Sequence, residues 1–340
     1  MMIANPIYYF ITIILLFNIV FLVFHKNISS YFQLYDEVDN KRKIHKERVA
    51  ITGGIYIFIN IILLCISQVM LESFFALNFP KQSFYSLAGI FSASSLLFLG
   101  VYDDKYEMLP FSKFLLSAVI LSGFVIIDQG HHIRFIKFDF LSLEFNIYKY
   151  RYVLTILCFM LFLNSCNMFD GINGQSTFYF IFLLIYIQIV SGISLFLIIL
   201  IISLIIFLFL NFNNKSFLGD GGIYLLSFIL ASIIIKKYHE NYLFADQIFL
   251  LMLIPGIDMF RLFIQRVLNK QNPFLADSKH IHHLFLKKFS ARNTFIIIQL
   301  LIIIPNIVAL IFNAYMLILI LSVIVYLLLL NFLHDYSKKN

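Results

Sequence analysis

The sequence predicts an all-α polytopic membrane protein with about 11 transmembrane helices. Hydrophobic residues make up 61% of the 340 residues, charged residues make up 13%, and the mean hydropathy is +0.92. A soluble chain of this length would carry about a quarter charged residues, so the composition excludes a soluble globular fold. The apolar runs are unbroken and about 17–25 residues long, which excludes an outer-membrane β-barrel because barrel strands are short and alternate in polarity.

The apolar runs define the predicted helices in chain order. They lie at about residues 6–24, 51–71, 84–101, 111–127, 152–168, 176–191, 193–211, 221–236, 246–264, 294–312 and 314–333. The first is expected to be a transmembrane helix rather than a cleaved signal, because no basic residue precedes it and no small-residue cleavage site follows it. Residues 1–340 are predicted to form a single integral-membrane domain.

The basic residues predict the orientation of these helices. Loops that follow odd-numbered segments carry 18 of the 25 Lys and Arg residues, and the opposite side carries the other 7. Because cytoplasmic loops hold the excess of Lys and Arg, the N-terminus is predicted outside and the C-terminus inside. The predicted cytoplasmic loops lie at about 25–50, 102–110, 164–175, 212–220 and 265–293. The net charge of +7 therefore reflects topology, and no nucleic-acid partner is predicted.

One predicted external segment, HHIRFIKFDFLSLEFNIYKY at residues 131–150, differs from the other loops. Its apolar and polar residues partly alternate, as they do in a half-exposed pair of strands. This pattern predicts a short external β-hairpin. His131 and His132 at its start are predicted to face solvent rather than to bind a ligand.

Five polar motifs fall on the predicted cytoplasmic side. In chain order they are RVAITGG (48–54), GVYDDKYEMLP (100–110), NSCNMFDGINGQS (164–176), FLGDGG (217–222) and HIHH (280–283). A random distribution of polar residues would not place all five on one side. They are therefore predicted to form one site at the membrane surface.

Two of these motifs are rich in carboxylate and carboxamide groups. Asp103 and Asp104 are adjacent carboxylates, which repel each other near a membrane unless they meet a cation, a proton or a partner; the alternative is a polar end to the third helix. Asn164, Asn167 and Asp170 recur every three residues and so share one arc of a helix surface. The alternative for this motif is an ordinary helix C-cap.

Two further motifs, FLGDGG and HIHH, suit phosphate chemistry. Asp220 lies among three glycines at the start of the eighth segment, where a helix N-terminus suits phosphate and a neighbouring carboxylate suits Mg²⁺; the alternative is an N-cap. His280 and His283 would share a helical face, but no further ligand stands at a zinc-site spacing. Contact with a diphosphate is the favoured interpretation. The combined set of groups suits a metal ion that bridges phosphates.

The order AxxGG, DD, NxxNxxDGxNG, FLGDxG and HIHH resembles that of the polyprenyl-phosphate N-acetylhexosamine-1-phosphate transferases, glycosyltransferase family 4, over nearly the whole chain. HIHH and DDKYEMLP resemble the GlcNAc-1-phosphate branch more than the phospho-MurNAc-pentapeptide branch. The resemblance implies transfer of a sugar 1-phosphate from a UDP-N-acetyl amino sugar to undecaprenyl phosphate, with Mg²⁺, or Mn²⁺ as the alternative ion. It also implies a multi-pass protein of the bacterial inner membrane with a cytoplasmic active site. The identity of the sugar, and whether the protein is a monomer or a homodimer, stay open.

Carried onto this chain residue by residue, the resemblance implies specific roles. The implied catalytic residues are Asp103, Asp104 and Asp170, and the implied metal ligands are Asp170 and Asp220. The implied substrate-binding residues are Gly53, Gly54, Lys113, Asn164, Asn167, Phe217, His280, His282 and His283. Phe217 is expected to stack on the uracil. The chain departs from the family pattern in having Ala50 in place of Pro and Asn173 in place of a frequent Asp.

The expected mechanism is an in-line attack by the lipid phosphate on the β-phosphorus of the UDP-sugar. Because a phosphate monoester is largely dianionic at pH 7, Asp103 is expected to orient that phosphate rather than deprotonate it. The alternative within the family is transfer of phospho-MurNAc-pentapeptide. The alternative from another class is a membrane transporter or flippase, whose polar residues are expected near the bilayer midplane.

Overall fold

The computed structural model describes residues 6–37, 48–75, 86–141, 143–273 and 279–339. The helices within these ranges are α1 (Pro6–Phe32), α2 (Gly53–Phe75), α3 (Leu87–Tyr106), α4 (Pro110–Ile127), α5 (Arg151–Phe169), α6 (Gln175–Ser191), α7 (Leu195–Phe212), α8 (Gly219–His239), α9 (Ala245–Leu251), α10 (Leu253–Leu268), α11 (Ile281–Leu286), α12 (Ala291–Phe312) and α13 (Tyr315–Lys339). The strands are β1 (Tyr35–Asp36), β2 (Val49–Ile51), β3 (Phe135–Lys137), β4 (Glu144–Asn146) and β5 (Ser216–Phe217).

The helices confirm a multi-pass, all-α membrane protein. In the part of the chain that the structure describes, nine helices are long and apolar enough to cross a membrane. Helices α9 and α10 together pass the same test as a pair bent by 76°, and α6 is a shorter apolar helix of 17 residues. Each of the predicted apolar segments coincides with one of these units.

The prediction of one continuous helix at 246–264 is wrong, because the chain breaks at Met252 between α9 and α10. Pro255 lies three residues after the break and has no backbone N–H. It therefore cannot donate the hydrogen bond to the Leu251 carbonyl that would continue α9. The span is therefore divided into a short helix, α9, and a longer one, α10.

The predicted cytoplasmic loops are shorter than expected, because helices extend into them. Helix α1 continues to Phe32 rather than residue 24, α3 continues to Tyr106, and α5 continues to Phe169. The connecting segments are 33–52, 107–109, 170–174, 213–218 and 269–290, of which 38–47 and 274–278 lie outside the described residues. Asp103, Asp104, Asn164 and Asn167 consequently lie in the last turns of helices.

The hairpin predicted at 131–150 is confirmed, with Phe135 of β3 paired with Asn146 of β4 in an antiparallel ladder. The prediction that His131 and His132 face solvent is wrong. They are only 3% and 2% exposed, because the chain folds back over the end of α4 after Ile127. The His132 ring lies 2.6 Å from the Val125 carbonyl, and His131 pairs with Asp128 at 3.1 Å.

A small three-stranded sheet, which the sequence patterns did not predict, joins two of the polar motifs. Its strand order is β1-β2-β5, and β2 runs parallel to β5 with Ile51 opposite Phe217. Beyond the strands, the hydroxyls of Thr52 and Ser216 lie 2.8 Å apart, and the Gly54 amide donates to the Leu218 carbonyl at 3.1 Å. RVAITGG and FLGDGG therefore form one structural unit.

Helix α8 lies at the centre of the bundle. In its apolar membrane-spanning stretch, 83% of the residues are buried, whereas at most 50% are buried in each of the other described spans. Glycines let two neighbours reach its backbone: a Cβ on Gly100 of α3 would be 2.4 Å from the Gly221 amide nitrogen, and one on Gly54 of α2 would be 2.6 Å from that of Gly222. The first turn of α8 is thereby held directly against α2 and α3.

We expect Gly100→Ala to lower the free energy of unfolding by about 1–3 kcal/mol, because the added methyl group meets backbone that has no rotamer to change. Gly123→Ala is the matched control, since Gly123 also lies within a helix and a Cβ there has no neighbour within 4 Å. Thermal unfolding of the two detergent-purified variants measures the difference. Equal melting temperatures for the two variants would refute the backbone contact.

Candidate active site

The first group of site residues surrounds Lys113. This residue lies in the first turn of α4, and its Nζ is 2.6 Å from Asp103 Oδ2 and 3.3 Å from Asp220 Oδ2. Asp103 comes from the last turn of α3 and Asp220 from the first turn of α8. One ammonium group thus joins the ends of three helices, and the DD and FLGDGG motifs meet as predicted.

Asp104 caps helix α8 from outside that helix. Its carboxylate accepts hydrogen bonds from the backbone N–H groups of Asp220 and Gly221, at 2.9 and 3.3 Å. The first N–H groups of a helix have no partner within it and favour a negative charge. The carboxylate of Asp220 contacts Lys113 instead, so the alternative in which Asp220 is only an N-cap does not describe this site.

The three carboxylates of this group differ in how many of their oxygens are engaged. Asp103 is 7% exposed and uses both oxygens, since Oδ1 accepts from the Met108 amide at 2.8 Å and Oδ2 pairs with Lys113. Asp104 is engaged by the amides of α8. The Asp220 side chain is 26% exposed, and its contact with Lys113 is the longer one at 3.3 Å. Asp220 is therefore the carboxylate best placed to take an additional ligand.

The charge balance of this group fits a divalent cation. Three carboxylates and one ammonium group sum to a formal charge of −2. Mg²⁺ commonly binds through one or two carboxylates, with the remaining positions filled by water and substrate phosphate. Within the described ranges no three His, Cys, Asp or Glu side chains are arranged to hold a metal. The residues therefore fit an ion that depends on substrate oxygens, and Mg²⁺ stays a prediction.

The second group joins the end of α5 to the HIHH motif. Asp170 and Gly171 begin the turn after α5, and Gly171 lies so close to His282 that a Cβ there would be 2.0 Å from Nε2. Within α5, the Asn164 side chain donates to the Met160 carbonyl at 2.7 Å, which leaves its amide oxygen available. The two predicted metal ligands thus lie in different groups: the contacts of Asp220 run to α3 and α4, whereas the Asp170 turn contacts α11.

The turn after Asp170 contacts the loop that leads to β5. Gly174 has a φ of 81°, a left-handed conformation that glycine adopts readily. The side chain of Asn173 donates a hydrogen bond to Asn214, which lies in the loop before β5. Asn173, a departure from the family pattern, therefore links the turn after α5 to the loop before β5. The identity of the sugar stays open.

The histidines of HIHH form a packed row. The rings of His280 and His282 are parallel with centroids 5.6 Å apart, and the His283 ring lies 4.3 Å from His282. Burial lowers the pKa of His282 to about 3, so its imidazole is neutral near pH 7. A neutral ring can exchange hydrogen bonds with a phosphate but adds no charge.

Asp258 of α10, which sequence reasoning missed, holds this row in place. Its Oδ2 lies 2.8 Å from His280 Nδ1, and both oxygens accept from the Ile281 amide at 3.2 Å. Its Oδ1 also accepts from Arg261 Nη2 at 2.7 Å and from the Tyr326 hydroxyl at 2.9 Å. The carboxylate is 5% exposed as part of a buried network. It fixes one ring nitrogen of His280 and the entry to α11.

The signal for this network was present in the sequence. Asp258 and Arg261 stand three residues apart in the apolar stretch LIPGIDMFRLFIQ. Ionisable residues inside a membrane segment are costly and most often serve a function. Their pairing with a motif about twenty residues downstream required the fold.

The remaining predicted site residues lie around these two groups. A Cβ on Gly53 would be 2.7 Å from Leu218 Cα, so Gly53, like Gly54, allows close packing against the start of α8. Phe217 is half-buried in β5, and Asn167 is half-buried in the last turn of α5. Their predicted contacts with substrate stay predictions.

The part of the chain that carries the first group matches a known family. Residues 86–237, from the residue before α3 to the last turn of α8, match the profile of Glycosyl transferase family 4. This part of the chain is therefore similar to that family. The profile covers the DD, NxxNxxDGxNG and FLGDGG motifs, whereas HIHH lies beyond it.

Individual relatives extend the similarity over most of the chain. The undecaprenyl-phosphate alpha-N-acetylglucosaminyl 1-phosphate transferase of Escherichia coli (strain K12) is 25% identical over 303 residues, which cover 84% of this chain and 78% of the relative. The protein of the same name from Yersinia pestis is 24% identical over 301 residues, covering 84% and 79%. The probable undecaprenyl-phosphate N-acetylglucosaminyl 1-phosphate transferase of Bacillus subtilis (strain 168) is 27% identical over 267 residues, covering 76% and 71%.

Proposed function

We propose that this protein transfers N-acetylglucosamine 1-phosphate, or the 1-phosphate of a related N-acetylated amino sugar, from a UDP-sugar to undecaprenyl phosphate. The products would be undecaprenyl-diphosphate-sugar and UMP, which would begin the synthesis of an envelope polysaccharide such as O-antigen, teichoic acid or capsule. The observation that carries the proposal is the group of Asp103, Asp104 and Asp220 around Lys113 at the ends of three helices. The names of the relatives support the lipid acceptor and the sugar.

The proposed reaction exchanges one phosphoanhydride for another. An oxygen of the lipid phosphate attacks the β-phosphorus of the UDP-sugar, the new P–O bond forms, and the bond from the β-phosphorus to the bridging oxygen breaks as UMP leaves. The lipid phosphate is largely dianionic near pH 7, so no base is needed to remove a proton. Charge positioning supplies most of the catalysis in such transfers.

The residues of the first group suit positioning more than proton transfer. Both oxygens of Asp103 are held by internal donors, so Asp103 fixes Lys113, and Lys113 offers its charge to a substrate phosphate. Asp104 fixes the start of α8 and thereby the position of Asp220. Asp220 is the residue that would hold Mg²⁺, and a bound Mg²⁺ would offset charge on the diphosphate. Asp170, with the histidine row, would line the other side of the site.

The proposed orientation places this end of the bundle in the cytoplasm, where UDP-sugars are made, with the N-terminus outside. The excess of Lys and Arg on the same side supports it. The transporter alternative expects polar residues near the bilayer midplane. Here the carboxylates lie in the last turn of α3 and the first turn of α8, so the transferase is the better supported function.

A membrane assay tests this proposal. Membranes that contain the protein are incubated with undecaprenyl phosphate, Mg²⁺ and a panel of radiolabelled UDP-N-acetylhexosamines, and the lipid fraction is identified by mass spectrometry. We expect a lipid-linked diphosphate sugar from at least one donor, together with an equal amount of UMP. UDP-MurNAc-pentapeptide in the same panel tests the alternative within the family, and the absence of a lipid product from every donor would refute the proposal.

A further inference from the structure

A half-open cavity of about 360 Å³ lies at the opposite end of α8 from Asp220. Its walls come from the segment after α4, from β3 and from the last turn of α8. Helix α8 has 21 residues, so at about 1.5 Å per residue the cavity lies roughly 30 Å from the carboxylate group. It belongs to neither group of the candidate active site.

The cavity is cationic. The described residues that line it include Arg134 and Lys137 but no Asp or Glu. Lys137 is anchored by Glu144 at 2.8 Å and by the Asn241 side chain at 3.1 Å. The exposed Arg134 guanidinium donates a long hydrogen bond, 3.5 Å, to the Gln129 carbonyl. A guanidinium group has five N–H donors in a planar fork that matches phosphate oxygens. Arg134 can therefore donate hydrogen bonds to a phosphate as well as to Gln129.

Basic residues are more frequent around the cavity than is usual for loops on the external side of a membrane. Of the 7 basic residues on the predicted external side, Arg134 and Lys137 line the cavity, and Lys236 and Lys237 directly precede its lining residues Tyr238 and His239. External loops are normally poor in Lys and Arg. Attraction of an anion gives a physical reason for this concentration of charge.

Apolar side chains stand beside this charge. At the end of α4, Ile126 and Ile127 are 64% and 71% exposed, and the adjoining cavity residue Phe135 is 37% exposed. Basic residues next to membrane-facing apolar surface attract anionic headgroups. The arrangement matches a molecule that has an anionic phosphate at one end and acyl chains at the other.

We propose that this cavity binds a phosphate group through Arg134 and Lys137. The phosphate comes from an anionic phospholipid whose chains lie along the end of α4, or from free phosphate or diphosphate, which shares the same recognition chemistry. This site is independent of the proposed transferase reaction. It would anchor the hairpin to α8 when occupied.

Native mass spectrometry of the detergent-purified full chain tests the site. The chain is titrated with phosphatidylglycerol and, separately, with inorganic diphosphate, while phosphatidylcholine serves as the neutral lipid. Arg134→Gln combined with Lys137→Gln is expected to weaken phosphatidylglycerol binding by about 10–30-fold. This range follows because each basic residue contributes about 1 kcal/mol to the attraction of an anionic lipid. The matched control, Lys149→Gln combined with Lys236→Gln, removes two charges at the same end but outside the cavity lining, and is expected to bind within about threefold of the wild type.

The outcomes separate the two phosphate sources. Loss of phosphatidylglycerol binding in the cavity variant alone supports a lipid phosphate, whereas loss of diphosphate binding in that variant alone supports a free one. Equal binding of both probes by the cavity variant and the wild type, or equal losses in the two double variants, overturns the proposal. Arg134→Gln alone keeps the Lys137 contacts to Glu144 and Asn241, so it provides the same comparison if the double variant does not fold.

Discussion

Replacement of Asp220 by Asn is expected to lower transferase turnover by about 10²–10³-fold, the cost commonly found when one electrostatic group of an active site is removed. The Asp220 side chain is 26% exposed and its contact with Lys113 is 3.3 Å long, whereas Asp103 is held by Met108 and Lys113 at shorter distances and Asp104 by the amides of α8. The change keeps the shape of the side chain and removes one negative charge from a crowded group. We therefore expect the variant to fold normally and to require more Mg²⁺.

The measurement is the initial rate of lipid product formation over a range of Mg²⁺ concentrations, with the melting temperature of the same preparation. Asp139→Asn is the matched control, because Asp139 lies in the hairpin turn at the other end of the bundle. It should retain wild-type turnover. Near-normal turnover of the Asp220 variant at the wild-type Mg²⁺ concentration would remove the metal-binding assignment.

Asp258→Asn is expected to reduce turnover by about 10–100-fold, the typical loss when a group that orients a functional histidine is changed. The amide can accept at only one atom, whereas the carboxylate accepts from His280, Ile281, Arg261 and Tyr326. His280 would lose the partner that fixes Nδ1, and the row that touches Gly171 would shift. The variant should also melt at a lower temperature, because Arg261 loses a buried partner.

Tyr326→Phe tests whether the loss of turnover in Asp258→Asn comes from a misoriented His280 or from lower stability. It deletes the hydrogen bond to Asp258 and the one that Arg261 Nε donates to the Tyr326 hydroxyl at 3.1 Å, and it leaves the Asp258–His280 pair intact. We therefore expect a cost of about 1–3 kcal/mol in stability and a much smaller loss of turnover. Steady-state kinetics and thermal unfolding of both variants provide the comparison. If both variants lose activity in proportion to their loss of stability, Asp258 serves the fold rather than the orientation of His280.

The membrane architecture followed from local sequence features. Every predicted apolar segment coincides with a helical unit, because a span needs only enough consecutive apolar residues, and that property is visible in a short window. The hairpin at 135–146 followed from a local alternation of the same kind. Pro255 and Gly256 hinted at a break in the segment 246–264, but the position of the break at Met252 and the 76° bend were not predicted.

The candidate site was only partly predictable. The sequence predicted that the five motifs lie on one side of the membrane, because each of them follows an odd-numbered helical segment. The structure brings RVAITGG, the DD pair and FLGDGG into direct contact. It also brings Gly171 against His282. The resemblance implied catalytic roles for Asp103 and Asp104 and metal binding for Asp220, but it did not predict how differently the neighbouring residues engage the three carboxylates. Which oxygen stays available depends on neighbours from other helices.

The sequence by itself determined that this is a multi-pass membrane protein with polar motifs on one side, since both properties depend on the order of residues along the chain. Only the tertiary structure decided that Asp104 caps α8, that Asp258 holds His280, and that His131 and His132 are buried. These contacts join residues from different segments, and their energies depend on distances and angles that a linear pattern does not contain. The glycines at 54, 100, 221 and 222 illustrate the difference, because only the structure shows that they bring helix backbones into contact.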